Sequence, residues 1–193
     1  DATCKGLDFV HSVNELIELL KNLKNNNIDY IILGNGSNII LASDYYDKVI
    51  IKLDKLNNIT FNDNIVKVES GYPLPKLSFE ILKHNLIGLE FAAGIPGLVG
   101  SSVAMNAGAY NKSMADVVKE ITILDEDLNI RVLKNNELKF RYRDSLLKEN
   151  KKLIVLEVTL ELEHGDILEA KELIETRRQR RISTQPLNYP SSG

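Results

Sequence analysis

The stretch GLEFAAGIPGLVGSSVAMNAGAY, residues 88–110, constrains the fold of this 193-residue chain most strongly. Its glycines and proline include Gly94, Pro96, Gly97, Gly100 and Gly108. A core helix would avoid this composition, because glycine costs about 1 kcal/mol and proline about 3 kcal/mol in a helix interior. Glycine also lets the backbone come close to a ligand. The stretch therefore predicts either a ligand-binding segment or an irregular buried loop.

A second stretch of this kind lies upstream, in ILGNGSNIIL at residues 32–41. Small or polar residues separate two apolar runs there, and they are Gly34, Asn35, Gly36, Ser37 and Asn38. An ordinary hairpin turn needs only two such residues. Successive backbone N–H groups in such a loop can form a concave site for phosphate. A plain turn is the alternative, but two glycine stretches in one chain favour a ligand.

The hydrophobic pattern around these stretches predicts alternating helices and strands. One predicted helix begins at a capping box formed by Ser12 and Glu15. Two further predicted helices cover Pro75–His84 and Asp166–Ile182. The predicted strands are Tyr30–Leu33, Val49–Leu53, Val117–Leu124, Arg131–Leu133 and Leu153–Leu162. This order indicates an α+β fold in two lobes, with subdomains at residues 1–55 and 56–193.

Composition narrows the functional classes. The formal charge of −3 argues against a nucleic-acid-binding protein, and no apolar run is long enough to span a membrane. Cys4 is the only cysteine, which excludes an intrachain disulfide and suits a cytoplasmic location. The three histidines are scattered, so no metal site is expected.

Four motifs together resemble the family of UDP-N-acetylenolpyruvoylglucosamine reductases (MurB). In chain order they are LGNGSN, residues 88–110, FRYRDS at residues 140–145 and QPLNYPSSG at residues 185–193. The GxGSN pattern is shared with other FAD oxidases, whereas the combination is far more specific. The resemblance implies the two-lobed FAD-binding fold of the vanillyl-alcohol-oxidase (PCMH-type) superfamily.

The resemblance also implies a cofactor, a reductant and a substrate. FAD would lie between the lobes, with its pyrophosphate held by the backbone amides of residues 34–38. The rest of the flavin cleft would be lined by Ile95, Pro96, Gly97, Gly100, Ser101, Ser102, Asn106, Gly108 and Ala109. NADPH would reduce the flavin, and UDP-N-acetylglucosamine enolpyruvate would be reduced to UDP-N-acetylmuramate for peptidoglycan synthesis. A cytoplasmic monomer is expected.

The FRYRDS motif supplies the candidate catalytic cation, because Arg143 matches the active-site arginine of the family. A guanidinium can grip a carboxylate with two hydrogen bonds and stabilise developing negative charge. A surface ion pair is the alternative interpretation, and Arg141 is left as background. The run RRQRR, residues 177–181, is interpreted as a solvated helix end rather than a contact to nucleotide phosphates.

Two departures from the family pattern matter. The family's proton-donating serine would be the residue after Gly193, and its glutamate belongs to a C-terminal substrate domain expected to lie outside this chain. The N-terminal TCKGLDF is compressed relative to the family, which leaves the first strand uncertain as a prediction. The competing functions are another FAD-linked oxidoreductase acting on a sugar or alcohol, and a non-catalytic FAD-binding module.

Overall fold

Two separate sheets organise the chain in the computed structural model, which describes residues 2–37, 39 and 42–185. The strands of the first are β1 (Thr3–Phe9), β2 (Tyr30–Leu33) and β3 (Tyr45–Lys52). This sheet is parallel, in the order β1-β3-β2. The strands of the second are β4 (Ile59–Asn62), β5 (Ile65–Glu69), β9 (Val118–Leu124), β10 (Ile130–Lys134) and β11 (Ile154–Glu161). This sheet is antiparallel, in the order β10-β9-β11-β5-β4.

Short ladders and helices complete the described part of the chain. The ladders pair β6 (Leu86–Ile87) with β12 (Glu163–His164) and β7 (Gly108–Ala109) with β8 (Lys112–Ser113). The α-helices are α1 (Val13–Asn25), α2 (Leu74–Glu80), α3 (Val99–Ala104), α4 (Leu146–Glu149) and α5 (Ile167–Thr184). The 3₁₀ turns are Ile81–His84, Met114–Asp116 and Asn135–Leu138. None of the helices in the described ranges is both long and apolar enough to cross a membrane.

The helix α1 covers one face of the parallel sheet and forms the smaller core. Leu16 and Leu20 are buried there with Ile51 of β3. Ser12 caps the helix as predicted, since its side chain accepts from the Glu15 amide at 3.1 Å. The Glu15 carboxylate accepts from the His11 amide, not from Ser12 as the capping box predicts. The N-terminal stretch TCKGLDF, whose compression put the first strand in doubt, does form a strand, β1, ahead of this helix.

Strand β11 lies at the centre of the antiparallel sheet, between β9 and β5. The alternation over residues 153–162 predicts a half-buried strand. The strand is confirmed, but the prediction that it is half-buried is wrong, because most of its residues are buried on both faces. Ile154 and Leu156 belong to the smaller core, whereas Val158 and Leu160 belong to the larger one. Val155, between Ile154 and Leu156, also belongs to the larger core, so the first half of the strand has one core on each of its faces. The subdomain boundary at residues 55 and 56 stays a prediction.

The glycine stretch at residues 88–110 contains the short helix α3 and is not an irregular loop throughout. Gly100 allows this, because its backbone lies directly against residue 70. A Cβ on Gly100 would come within 2.7 Å of the Ser70 Cβ, and the Gly100 amide donates to the Ser70 carbonyl at 2.9 Å. The close approach fixes α3 against the end of β5.

The helix α5 begins at Asp166, whose carboxylate accepts from the amides of Leu168 and Glu169. The apolar pattern predicts that Leu168, Leu173 and Ile174 lie on the buried side of this helix, and this prediction is only partly correct. Ile174 is buried as expected, but Leu168 is 72% exposed and Ala170 takes its place in the core.

Candidate functional site

The two glycine stretches contact each other. The loop after β2 lies against the segment that leads into α3, and the Ser37 hydroxyl donates to the Pro96 carbonyl at 3.0 Å. A Cβ on Gly34 would lie 3.1 Å from Ser101 Oγ, so only glycine permits this approach without displacement. Gly36 has a φ of +74°, a conformation that other residues rarely adopt. Two segments about sixty residues apart in the chain thus form one surface.

The loop is fixed from behind by a charged side chain. The Lys52 ammonium at the end of β3 donates to the Gly34 carbonyl. Gly97 has a φ of +150°, and its carbonyl accepts from the Leu74 amide at 3.0 Å. A Cβ on Gly97 would face the hydroxyls of Ser102, Ser101 and Ser37 within 4 Å. The surface therefore combines close backbone with several small hydroxyls.

A cavity of about 300 Å³ adjoins this surface. It is lined by Asn35 of the loop, by Leu98, which precedes α3, and by Asp54, Tyr72 and Lys76. The Lys76 ammonium lies 5.1 Å from the centre of the Tyr72 ring. Amide, ammonium and carboxylate groups thus converge beside the glycine loop, with an aromatic face among them.

Two buried polar atoms have no hydrogen-bond partner in the described part of the chain, namely Asp54 Oδ1 and Ser70 Oγ. Buried polar atoms are nearly always satisfied in folded proteins. Asp54 lines the cavity, and Ser70 contacts Gly100. Asp54 Oδ1 can accept a hydrogen bond from a ribose hydroxyl, whereas the uncharged loop and Lys76 suit phosphate. This donor and acceptor set fits a nucleotide-containing cofactor such as FAD.

The turn that carries Arg143 is attached to the other end of α3. The Asn106 amide donates to the Arg141 carbonyl at 2.8 Å, and the Ser145 hydroxyl donates to the Ala104 carbonyl at 2.7 Å. The helix rises about 9 Å over its six residues, at 1.5 Å per residue. The glycine loop and the Arg143 turn therefore lie at opposite ends of one short element.

The two arginines of FRYRDS have different surroundings. Arg141 is ion-paired with Glu149 and with Asp144, and its hydrogen bond to Glu149 raises its pKa above the ordinary value. Arg143 is exposed, has a φ of +54° and pairs with no carboxylate among the described residues. The surface ion pair considered from sequence thus describes Arg141, whereas the Arg143 guanidinium lies 5.8 Å from the centre of the Tyr142 ring.

The remaining predicted residues fall into three groups. Ile95 packs against the larger core, and Gly108 and Ala109 form the β7–β8 ladder. Asn106 uses its side chain internally, since it also accepts from the Ala115 amide at 2.9 Å. Asn38 and residues 186–193, which include most of the fourth motif, lie outside the described residues.

The interpretation of residues 177–181 as a solvated helix end is wrong for two of its arginines. The Arg181 guanidinium donates to the Gly94 carbonyl. The Arg177 guanidinium carbon lies 4.2 Å from the centre of the Tyr110 ring. Sequence reasoning also missed Lys52, Asp54 and Lys76, because isolated charged residues carry no local pattern.

Comparison with known families identifies the class. A family model described as a FAD binding domain matches residues 5–133, which is more than half of the 193 residues. The chain therefore belongs to this FAD binding domain family.

Within the family, the chain is similar to proteins named UDP-N-acetylenolpyruvoylglucosamine reductase. It is 45% identical to that of Clostridium perfringens (strain SM101 / Type A) over 96% of this chain and 61% of the relative. It is 43% identical to that of Caldanaerobacter subterraneus subsp. tengcongensis over 94% of this chain and 60% of the relative. The chain thus spans about three fifths of the length of these curated relatives.

Solved structures agree on the fold. The UDP-N-acetylenolpyruvylglucosamine reductase (MurB) of Thermus caldophilus matches with a TM-score of 0.77 and 29% identity, over 93% of this chain and 63% of that chain. A glucose dehydrogenase, Phl p 4.0202, matches with a TM-score of 0.66 and 14% identity, over 83% of this chain and 35% of that chain. The second likeness concerns the fold alone. The predicted PCMH-type FAD-binding fold is confirmed.

Proposed function

We propose that this chain is the FAD-binding portion of a reductase that converts UDP-N-acetylglucosamine enolpyruvate to UDP-N-acetylmuramate with NADPH. The step would serve peptidoglycan precursor synthesis, and so cell-wall formation and division, in the cytoplasm. The names of the relatives support this substrate and the family match supports the cofactor. The observation that carries the proposal is the contact between the two glycine stretches, at Ser37 and Pro96.

The two glycine stretches that contact each other would hold the cofactor, although the loop at residues 34–37 carries no charged side chain. Backbone amides of residues 34–37 would donate to the pyrophosphate, and Lys76 would add one positive charge nearby. Asp54 would accept from a ribose hydroxyl, which would satisfy its unpartnered oxygen. When bound, FAD supplies the hydride-transfer chemistry that protein side chains lack.

Arg143 would orient the substrate. Its guanidinium is free of carboxylate partners among the described residues and lies at the end of α3 opposite the glycine loop. It would hold the enolpyruvyl carboxylate with two parallel hydrogen bonds and favour the negative charge that grows during reduction. Arg141 would hold the turn through Glu149 and Asp144 rather than touch substrate.

The test is substrate-dependent NADPH oxidation by the protein extended to the length of its relatives. Replacement Arg143→Ala should lower turnover about 10²- to 10³-fold, the usual effect of removing one group that stabilises developing charge. Flavin content should not change, because Arg143 lies outside the glycine loop. Arg131→Ala, at an exposed position on β10, is the matched control and should keep full turnover. Unchanged turnover in Arg143→Ala would contradict the role.

A further inference from the structure

The C-terminal half of α5 lies along the glycine stretch. Its first half is anchored by the Asp166 cap and by buried Ala170 and Ile174. Its second half contacts residues near both ends of that stretch through two arginines one helical turn apart. Arg177 lies over the Tyr110 ring, and Arg181 donates to the Gly94 carbonyl.

The identity of residue 94 is tied to this helix. A Cβ at position 94 would overlap the terminal nitrogen of Arg181, so glycine leaves the space that the guanidinium occupies. The overlapping atom is the far end of a flexible side chain. A methyl group at position 94 would therefore push the arginine away rather than disrupt the backbone.

Arg178, on the same helix, has a different partner. Arg178 pairs with Glu175 at 2.8 Å, and this contact together with a hydrogen bond from Gln179 holds the pKa of Glu175 at about 2. Arg177 and Arg181 contact an aromatic face and a neutral carbonyl instead. A cation on a ring face and a guanidinium on a carbonyl are both favourable and directional. The two arginines that touch the glycine stretch thus differ from a neighbour that is satisfied locally.

We propose that α5 clamps the glycine stretch, with Arg181 as a positioning residue for the flavin cleft and Arg177 as its support. This rests on the proposed FAD site. The Gly94 carbonyl immediately precedes Ile95 and Pro96, and Pro96 accepts the hydrogen bond from Ser37. Arg181 therefore fixes the backbone of residues 88–110 next to the point where Ser37 of the other glycine stretch contacts it, although Arg181 belongs to neither stretch.

The test is FAD affinity, measured by titration of flavin fluorescence, beside the melting temperature of the chain without FAD. Arg181→Ala should raise the Kd for FAD about tenfold, the scale of one lost hydrogen bond from a charged group. Arg181→Lys should recover part of this affinity, because an ammonium can still donate to the carbonyl. Arg178→Ala is the matched control on the same helix and should leave the Kd unchanged.

A double-mutant cycle separates clamping from general support. Gly94→Ala alone should also raise the Kd, by displacing the guanidinium without removing its charge. In the Arg181→Ala background the same change should have little further effect, since the space is already free. Additive effects would overturn the clamp, as would a Kd within about twofold of wild type in Arg181→Ala. A fall in melting temperature that Arg181→Lys does not relieve would equally overturn it.

The failure of the proposed function would look different. If the unmodified chain folds and binds no FAD, the proposed site and the clamp are both overturned. If it binds FAD and the Arg181 variants bind equally well, only the clamp is overturned.

Discussion

At Gly100, the space between two backbones decides which residue the site accepts. A Cβ would approach the Ser70 Cβ to 2.7 Å and the Ser70 backbone to 3.3 Å. Alanine normally stabilises a helix by about 0.5–1 kcal/mol relative to glycine. At position 100 the steric clash should outweigh this gain in helix propensity, because the Ser70 backbone cannot move aside as the end of a long side chain can.

We therefore expect Gly100→Ala to lower the free energy of unfolding by about 1–3 kcal/mol, the range for overpacked sites. Urea denaturation measures this directly. Gly6→Ala is the matched control, since its Cβ would meet Val49 Cγ2 at an ordinary 3.6 Å. Equal effects in the two variants would contradict the close approach.

Asn106 joins the glycine stretch to the Arg143 turn and to the segment after it. Its amide donates to the Arg141 carbonyl and accepts from the Ala115 amide. Asn106→Ala should lower the free energy of unfolding by about 2 kcal/mol, because both backbone groups lose their partner.

The control for Asn106 is Asn111→Ala, because both residues have a positive φ, 41° and 59°. Alanine is therefore similarly strained at each position, and the difference in the free energy of unfolding between the two variants measures the contribution of the Asn106 hydrogen bonds. Losses of equal size in urea denaturation would show that the side-chain bonds contribute nothing.

At the scale of elements, His164 forms hydrogen bonds that connect β12 to the turn after β4 and to the turn before β6. His164 of β12 lies 2.9 Å from Asp63, which follows β4, and 3.3 Å from the Asn85 carbonyl. The hydrogen bond to Asp63, aided by that to Asn85, raises the pKa of His164 above its ordinary value. The protonated histidine therefore stabilises the fold.

The raised pKa of His164 makes the stability of the fold depend on pH. This stabilisation is complete below the unfolded-state pKa of about 6.5 and is lost as pH rises through the higher folded-state pKa. The melting temperature should fall over that interval, and His164→Gln or Asp63→Asn should reduce the slope. The double variant should match either single variant. A slope unchanged in both single variants would contradict the assignment.

Local signals predicted some elements well and others poorly. The cap at Ser12 and the strand at residues 30–33 were predicted because each is encoded within a few neighbouring residues. The helix α3 was missed because Gly100 within it is required by close packing against Ser70, which lies thirty residues away in the sequence. The apolar face of α5 was only partly predicted, because the leucines at positions 168 and 173 are exposed while the smaller Ala170 is buried.

At the scale of the whole molecule, the candidate site depends on contacts that no local pattern encodes. The glycine loop contacts residues 88–110 across about sixty residues of sequence, and Arg181 contacts Gly94 across nearly ninety. The motifs predicted which backbone would matter. They did not predict Lys52, Asp54 or the arginines of α5, since such residues acquire a role only through contacts with residues far away in the sequence.

The most direct test of the central claim is a visible absorbance spectrum of the purified chain after incubation with FAD and desalting. We expect a retained flavin band that is released on denaturation. Gly36→Val should fold and lose the band, because its φ of +74° is strained for a branched residue while nothing crowds the position. A folded chain that retains no flavin, or a Gly36→Val variant that retains it fully, would contradict the assignment of the glycine loop to the cofactor.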